Sequence, residues 1–215
     1  MLLGLAAIVI FSNFLSQNWK NEAADEISDI VGMGLILFGF LFRIAARGYK
    51  EEKCCNGHFL VQDGPYAIIR NPMYFGTFII GTGIVAMLLN LWVFVIFVAG
   101  FFMIYIPQMK KEERVLLERF GQTYKEYCDI TPKYIPRIGY LIMLHKHISL
   151  KYFWIKKEMA SMIPVIIAVA GIEIWEDVKL FGRRELLAES LELVFIILLF
   201  SVVLSLFLEK KTKIA

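Results

Sequence analysis

The sequence predicts an all-α membrane protein, a polytopic bundle of about six transmembrane helices with one amphipathic helix on the cytosolic side. Two observations predict this fold class. Of the 215 residues, 58% are hydrophobic, and the mean hydropathy is +0.62. The apolar residues also occur in long blocks, whereas a soluble domain intersperses them with polar residues. This pattern excludes a soluble enzyme, a disordered chain and a nucleic-acid-binding arm.

Six apolar blocks approach the length of about 20 residues that a membrane-spanning helix needs. They cover residues 2–15, 30–46, 74–89, 91–106, 160–175 and 191–208. The first block is short, and a signal peptide is the alternative interpretation. Because no basic residue precedes this block, we expect a retained helix. Only Asn90 separates the third block from the fourth, which predicts a tight hairpin of two spans.

Basic residues predict the orientation of the bundle. Residues 107–158 carry eleven Lys or Arg against six acidic residues, so the positive-inside rule places this region in the cytosol. Alternation then places both termini and residues 48–71 inside. The loops at 20–29 and 176–189 and the turn at Asn90 fall outside. Within the cytosolic region, residues 111–127 predict an amphipathic helix that Gly121 interrupts, and Thr131-Pro132 ends it.

These segments divide the chain into two parts. Residues 1–137 form the first part, with most functional motifs between residues 58 and 137. Residues 138–215 hold an interfacial helix over 140–157 and two C-terminal spans.

The cysteines Cys54, Cys55 and Cys128 do not have the spacing of a zinc site. We therefore predict no bound metal, and a net charge of only +3 gives no reason to expect a nucleic-acid partner.

Polar residues at the cytosolic ends of the third and fourth spans form the candidate site, because the hairpin brings both ends to one side. Pro72 suits the first turn of a helix, whose free N–H groups bind anions. Glu112 and Glu113 offer hydrogen-bond acceptors, and Tyr66 and Tyr74 offer flat faces for a cation or an adenine. A cationic adenosyl cofactor requires this combination. The alternative is that Arg70 and the two glutamates are ordinary interfacial anchors.

A motif in these two stretches resembles that of membrane-embedded methyltransferases, the group that includes the isoprenylcysteine carboxyl methyltransferases and the phospholipid N-methyltransferases. The resembling residues are Arg70-Asn71-Pro72-Met73-Tyr74-Phe75-Gly76, then Glu112-Glu113, a Phe120-Gly121…Tyr124…Tyr127 segment and Pro132…Ile135-Pro136-Arg137. The resemblance covers about residues 32–137.

The resemblance implies S-adenosylmethionine as the cofactor and a lipophilic acceptor, either a lipid amine or a prenyl-cysteine carboxylate. It implies catalytic roles for Arg70, Asn71 and Glu113. If the acceptor is an amine, Glu113 or His58 is the candidate to remove its proton. The implied cofactor-binding residues are His58, Phe59, Leu60, Val61, Tyr66, Asn71, Pro72, Met73, Tyr74 and Glu112.

Two positions depart from the carboxyl methyltransferases. Asn71 replaces their usual His, and Gln108, the candidate substrate-binding residue, replaces an Arg that faces the substrate carboxylate. The Asn-Pro-Met-Tyr run is closer to the phospholipid enzymes. These departures leave open two alternatives: a catalytically degenerate protein that binds cofactor or lipid, and a non-enzymatic membrane scaffold.

Two pairs of glycines, Gly32 with Gly34 and Gly81 with Gly83, are expected to be helix-packing positions rather than cofactor loops.

Overall fold

The structure, a computed structural model, describes residues 22–54, 59–88, 90–136 and 151–180. In these residues all regular structure is helical, which confirms the predicted all-α class. The helices are α1 (Glu22–Lys53), α2 (Pro65–Ile68), α3 (Pro72–Met87), α4 (Leu91–Ile130) and α5 (Tyr152–Leu180). The chain forms two compact units, Met1–Leu150 and Lys151–Ala215. Each unit is described by itself.

Two of the described helices are long and apolar enough to cross a membrane. They are Ile27–Lys53, within α1, and Leu91–Ile130, which is α4. Two shorter apolar stretches lie at Pro72–Met87 and Ser161–Ile172. The predicted spans at 2–15 and 191–208 lie outside the described residues, so the number of six spans stays a prediction.

Four glycines let α1 and α3 pack closely in opposite directions. A Cβ on Gly83 would lie 2.5 Å from the backbone oxygen of Gly32, and a Cβ on Gly76 would lie 2.9 Å from that of Gly39. Since both pairs are seven residues apart along each helix, contact recurs every two turns. Gly32 and Gly83 are therefore packing positions, as expected, whereas Gly34 has no heavy atom of the described structure within 4 Å.

The predicted hairpin is present as the two helices α3 and α4, while the crossing of the membrane by both stays a prediction. The side-chain oxygen of Asn90 accepts hydrogen bonds from the backbone N–H groups of Trp92 and Val93, at 3.0 and 3.3 Å, and so caps the start of α4. Phe78 of α3 packs against Phe97 and Phe101 of α4, with ring centroids 5.8 and 5.0 Å apart. The hairpin places the beginning of α3 beside the middle of α4.

The structure corrects the predicted boundary between the fourth span and the cytosolic helix. The sequence predicts separate segments at 91–106 and 111–127, but α4 runs through Pro107 without ending. A proline removes one backbone hydrogen bond, and a helix can continue past that loss. The predicted interruption at Gly121 is present, with φ 53° and ψ −120°, and α4 ends before Thr131 as expected.

In the second unit, α5 joins residues that the sequence assigns to two segments. The predicted interfacial helix at 140–157 and the span at 160–175 are separate in the sequence interpretation, but Tyr152–Leu180 is one helix that contains Pro164. Residues 140–150 lie outside the described part of the chain. Trp154, Ile155 and Glu158 of α5 are buried.

Candidate functional site

The first turn of α3 places two predicted site residues. Pro72 occupies the beginning of the helix, where its missing N–H group costs no hydrogen bond. Asn71 is the N-cap residue, yet its side chain makes no capping hydrogen bond to the helix. Its Nδ2 atom is buried and has no hydrogen-bond partner in the described structure. The Asn71 amide thus has an unused donor at the start of α3.

Tyr74 and Glu112 are the predicted cofactor residues that the fold joins directly. The Tyr74 hydroxyl of α3 donates a hydrogen bond of 2.5 Å to Oε1 of Glu112 on α4. Gln108, one turn earlier on α4, donates from Nε2 to the same oxygen at 3.2 Å. The Tyr74 ring also packs on Tyr105, with centroids 5.3 Å apart. The three polar residues Tyr74, Gln108 and Glu112 are called the Glu112 cluster below.

Tyr66 lies next to this cluster, on α2. Burial raises the pKa of the Tyr66 hydroxyl, and the proximity of Tyr127, Glu112 and Cys54 raises it further. Its backbone oxygen accepts a hydrogen bond of 2.8 Å from the Tyr127 hydroxyl of α4. The short helix α2 is therefore held against α4, and the Tyr66 phenol stays neutral near physiological pH.

Glu113 makes different contacts from its neighbour Glu112. Its Oε1 lies 3.6 Å from Nη1 of Arg70, and its Oε2 lies 2.5 Å from Nζ of Lys133. The backbone N–H group of Arg70 donates a hydrogen bond of 2.9 Å to the backbone oxygen of Pro132. Burial lowers the pKa of Lys133, but the hydrogen bond and charge of Glu113 outweigh burial, so the pKa is raised. Arg70, Glu113 and Lys133 are called the Glu113 cluster below.

An apolar cavity of about 240 Å³ is lined by one residue of each cluster, Tyr74 and Lys133. Four side chains that carry polar groups line it, those of Asn71, Tyr74, Lys133 and Tyr134. The rest of its wall is apolar or aromatic and includes Phe75, Phe78, Phe101, Phe102, Met109 and Ile135. Such a cavity, with few polar groups placed at its wall, has the character of a small-molecule site.

The remaining predicted residues lie apart from the clusters or outside the description. Phe59, Leu60 and Val61 lie on the loop between α1 and α2, where Phe59 is exposed and the other two are half-buried. Met73 is in the first turn of α3, and its backbone oxygen accepts a hydrogen bond of 2.9 Å from Thr77. His58 lies outside the described residues.

The sequence did not predict a role for Lys133 in the site, and it gave Tyr127 as a motif residue without predicting its contact with Tyr66. Lys133 follows the proline that ends α4, and nothing in its neighbours marks it as facing Glu113, 20 residues earlier. Tyr127 belongs to the apolar face of a helix, which predicts burial but no hydrogen-bond partner. In the described part of the chain, no three His, Cys, Asp or Glu residues form a group suited to a metal ion. The absence of a metal stays a prediction.

A family model described as phospholipid methyltransferase matches residues 27–123. The chain is also similar to proteins named protein-S-isoprenylcysteine O-methyltransferase. The chain is 35% identical over 81 residues to the protein-S-isoprenylcysteine O-methyltransferase of Schizosaccharomyces pombe, covering 38% of this chain and 34% of the relative. It is 29% identical over 147 residues to protein-S-isoprenylcysteine O-methyltransferase B of Arabidopsis thaliana, covering 63% and 68%.

The protein-S-isoprenylcysteine O-methyltransferase of Xenopus laevis is 26% identical over 117 residues, which cover 51% of this chain and 41% of that protein. The matched segments thus span between about a third and two thirds of these relatives' own lengths. No solved structure matches the chain significantly.

Proposed function

Because residues 27–123 of this chain match the family model described as phospholipid methyltransferase, we propose that the protein is a membrane-embedded methyltransferase that uses S-adenosylmethionine. Its acceptor is a lipophilic molecule, either a lipid amine or a prenyl-cysteine carboxylate. Relatives named protein-S-isoprenylcysteine O-methyltransferase support the second class, and the family description supports the first. The protein spans the membrane several times, with its site on the cytosolic side.

The observation that carries this proposal is the hydrogen bond from Tyr74 to Glu112 beside an apolar cavity. It unites two halves of the motif that are 38 residues apart in the chain. If the motif residues were independent interfacial anchors, nothing would require a direct contact between them. Their convergence at the wall of one cavity favours a binding site.

The Glu112 cluster, together with Asn71 and Tyr66, has the chemistry to hold the cofactor. The Glu112 carboxylate accepts hydrogen bonds from ribose hydroxyls or an ammonium group, and the unused donor of Asn71 suits a carboxylate. The faces of Tyr66 and Tyr74 suit a cation or an adenine ring. When bound, S-adenosylmethionine supplies an activated methyl group. The residues of the chain bind the reactants and align them for displacement.

The cavity is the proposed place for the apolar part of the acceptor. Its aromatic wall, formed by α3, α4 and the loop that follows α4, excludes water from a hydrocarbon chain. A carboxylate acceptor is already ionised and needs no base. For an amine acceptor, Glu113 or His58 is the proposed proton acceptor. The contacts of Glu113 with Arg70 and Lys133 fix its position.

The first experiment measures methyl transfer and identifies the product. The purified full-length protein is incubated with S-adenosylmethionine labelled on its methyl group, together with native lipid extract or N-acetyl-S-farnesyl-cysteine. Products are then treated with base. Label released as volatile methanol identifies a carboxyl ester, and label that stays with lipid identifies an N-methyl product. Absence of transfer to either acceptor would contradict the proposed function.

A variant at Glu112 tests the cofactor site independently of the acceptor. We expect Glu112→Ala to lower affinity for S-adenosylmethionine at least tenfold, because the Glu112 carboxylate accepts the hydrogen bonds of both Tyr74 and Gln108 and is the proposed acceptor for the cofactor. Isothermal titration of the purified protein measures the affinity. Glu118→Ala, an exposed glutamate on the same helix, is the control. Equal affinity of Glu112→Ala and wild type would remove Glu112 from the site.

A further inference from the structure

We propose that Lys133 is a positioning residue whose contact with Glu113 holds the segment after α4 over the cavity, and that Glu113 releases this segment when it exchanges Lys133 for Arg70. Residues 131–136 of that segment are called the strap below, and the contact between Lys133 and Glu113 is called the latch. A ligand enters the cavity while the strap is released and is enclosed when the latch forms again. The part of the strap in catalysis rests on the proposed function, whereas the latch is a property of the folded chain without ligand.

The strap forms one wall of the cavity, and its outer side is exposed. Four of the twelve residues that line the cavity belong to the strap, namely Lys133, Tyr134, Ile135 and Pro136. The strap is irregular in structure, and Tyr134 and Ile135 are 43% and 78% exposed in the described part of the chain. Because an irregular segment with few packed side chains opens at a low cost in free energy, the strap can move while the helices stay folded.

Two polar contacts attach the strap to the rest of the site. The backbone N–H group of Arg70 donates a hydrogen bond of 2.9 Å to the backbone oxygen of Pro132. Nζ of Lys133 donates to Oε2 of Glu113 on α4. The first contact lies near the end of α4, and the second lies at the first strap residue that lines the cavity. Loss of the second contact therefore frees the cavity wall while the first keeps Pro132 in place as a hinge.

The latch leaves two complementary polar atoms unused beside it. Oε1 of Glu113 and Nε of Arg70 are both buried and have no hydrogen-bond partner in the described structure. Oε1 of Glu113 lies 3.6 Å from Nη1 of Arg70, which is too long for a hydrogen bond. Buried polar atoms are nearly always hydrogen-bonded, and a guanidinium group favours two parallel bonds to a carboxylate. A small rotation of Glu113 towards Arg70 therefore satisfies both atoms.

The two arrangements of Glu113 compensate each other. When Glu113 bonds Lys133, the strap is held, but Oε1 of Glu113 and Nε of Arg70 lack partners. When Glu113 bonds Arg70, these atoms are satisfied, and Lys133 turns to water as the strap lifts. The side chains of Arg70, Glu113 and Lys133 are 18%, 17% and 19% exposed, so the carboxylate needs a paired cation in either arrangement. Each arrangement thus gains one contact and loses another, and both are populated.

The reactivity of an introduced cysteine measures release of the strap without any ligand. The full-length protein is studied in detergent with its own cysteines replaced by serine. Met109→Cys places a thiol at the cavity wall, where Met109 is 4% exposed. Val85→Cys, at an 8% exposed position near the other end of α3, is the matched reporter outside the cavity. The rate of reaction with N-ethylmaleimide is measured for each, because a buried thiol reacts only when the structure around it opens.

Variants of the two cations should change this rate in opposite directions. We expect Lys133→Met to raise the rate at Met109→Cys about tenfold and to change the rate at Val85→Cys less than twofold, because it removes the latch alone. Lys133→Arg should keep the wild-type rate. Arg70→Lys should lower the rate at Met109→Cys about threefold, because lysine cannot form the two parallel bonds that draw Glu113 away. Lys125→Met, at an exposed lysine on α4, is the control and should leave both rates unchanged.

Three results would overturn the proposal. An equal rate at Met109→Cys in Lys133→Met and wild type would show that Lys133 does not hold the strap. A parallel rise at Val85→Cys would show that the variant loosens the whole fold. An unchanged or raised rate in Arg70→Lys would show that Glu113 does not exchange its partner. These rates do not depend on methyl transfer, so a working latch in a protein without transfer would uphold this inference and reject the proposed function.

Discussion

At the scale of single residues, two adjacent glutamates of α4 face different partners. Successive residues of a helix point about 100° apart. Glu112 therefore reaches Tyr74 on α3, while Glu113 reaches Arg70 and Lys133 on the loops at either side. One pair of acidic residues thereby serves two clusters, one with hydroxyl and amide partners and one with cations.

The first prediction concerns the hydroxyl that orients Glu112. Tyr74→Phe removes a hydrogen bond to a carboxylate, an interaction worth about 1.5–3 kcal/mol. We expect affinity for S-adenosylmethionine to fall about tenfold, as measured by isothermal titration, with unchanged helical circular dichroism. Tyr105→Phe, which alters a tyrosine packed on the Tyr74 ring, is the control. Unchanged affinity in Tyr74→Phe would show that Glu112 needs no orientation by this hydroxyl.

The second prediction concerns stability in alkali. The pKa of Tyr66 is raised in the folded protein, so above pH of about 10 the unfolded chain loses a proton that the folded chain keeps. The contribution of the Tyr66 hydroxyl to the free energy of unfolding is fully present below that pH. Above it, the free energy of unfolding decreases as the pH rises, by at most about 1.4 kcal/mol per pH unit. Thermal unfolding between pH 8 and 11 measures this dependence.

In Tyr66→Phe the free energy of unfolding should decrease less between neutral and alkaline pH than in wild type, because phenylalanine has no hydroxyl proton to lose. Tyr134→Phe, at a half-exposed position, serves as the comparison. If the difference between wild type and Tyr66→Phe stays constant over this pH range, the Tyr66 hydroxyl does not remain protonated in the folded state.

At the scale of elements, the contact between α1 and α3 fixes where the site begins. The glycine pairs bring the two backbones together, and Arg43 of α1 donates a hydrogen bond to the Thr77 hydroxyl of α3. Thr77 in turn donates to the backbone oxygen of Met73, one turn earlier. The first turn of α3, which carries Tyr74, is therefore positioned by its packing on α1.

The third prediction tests this packing. Gly83→Ala places a Cβ 2.5 Å from the backbone oxygen of Gly32, which cannot rotate away as a side chain can. We expect a loss of about 1–3 kcal/mol in stability, seen as a lower midpoint of thermal unfolding in detergent. Gly34→Ala meets open space in the described structure and is the matched control. Equal midpoints for Gly83→Ala and wild type would contradict close backbone packing.

At the scale of the whole molecule, the orientation in the membrane decides which reactants reach the site. The basic region after the fourth span predicts that the Glu112 and Glu113 clusters lie at the cytosolic surface. In the proposed function, the cofactor is taken from the cytosol and the acceptor from the bilayer through the apolar wall of the cavity. The same rule predicts that the turn at Asn90 lies on the opposite side of the membrane.

The fourth prediction tests this orientation by cysteine labelling in intact cells. In a protein whose cysteines are replaced by serine, Leu91→Cys should react with a membrane-impermeant maleimide added outside, because Leu91 is 72% exposed beside the turn that is predicted to be external. Lys125→Cys should react only after the cells are opened. The reverse pattern would place the site on the outer side.

Much of the fold was predictable from the sequence because apolar blocks and turn residues act locally. The hairpin followed from two apolar blocks joined at Asn90, and the convergence of the motif residues followed from the hairpin. The boundary after residue 106 was wrong, since Pro107 weakens a helix without ending it. The contact of Lys133 with Glu113 was not predictable, because it depends on how the loop after α4 folds back.

The sequence by itself determined the helical class, the similarity of residues 27–123 to phospholipid methyltransferases and the residue types available to the site. These properties depend on composition and spacing along the chain. The tertiary structure alone decided which glutamate contacts which partner, which donors stay unused and where the cavity lies. Those outcomes depend on the direction of each side chain after α3, α4 and the following loop have packed, and sequence spacing does not specify that direction.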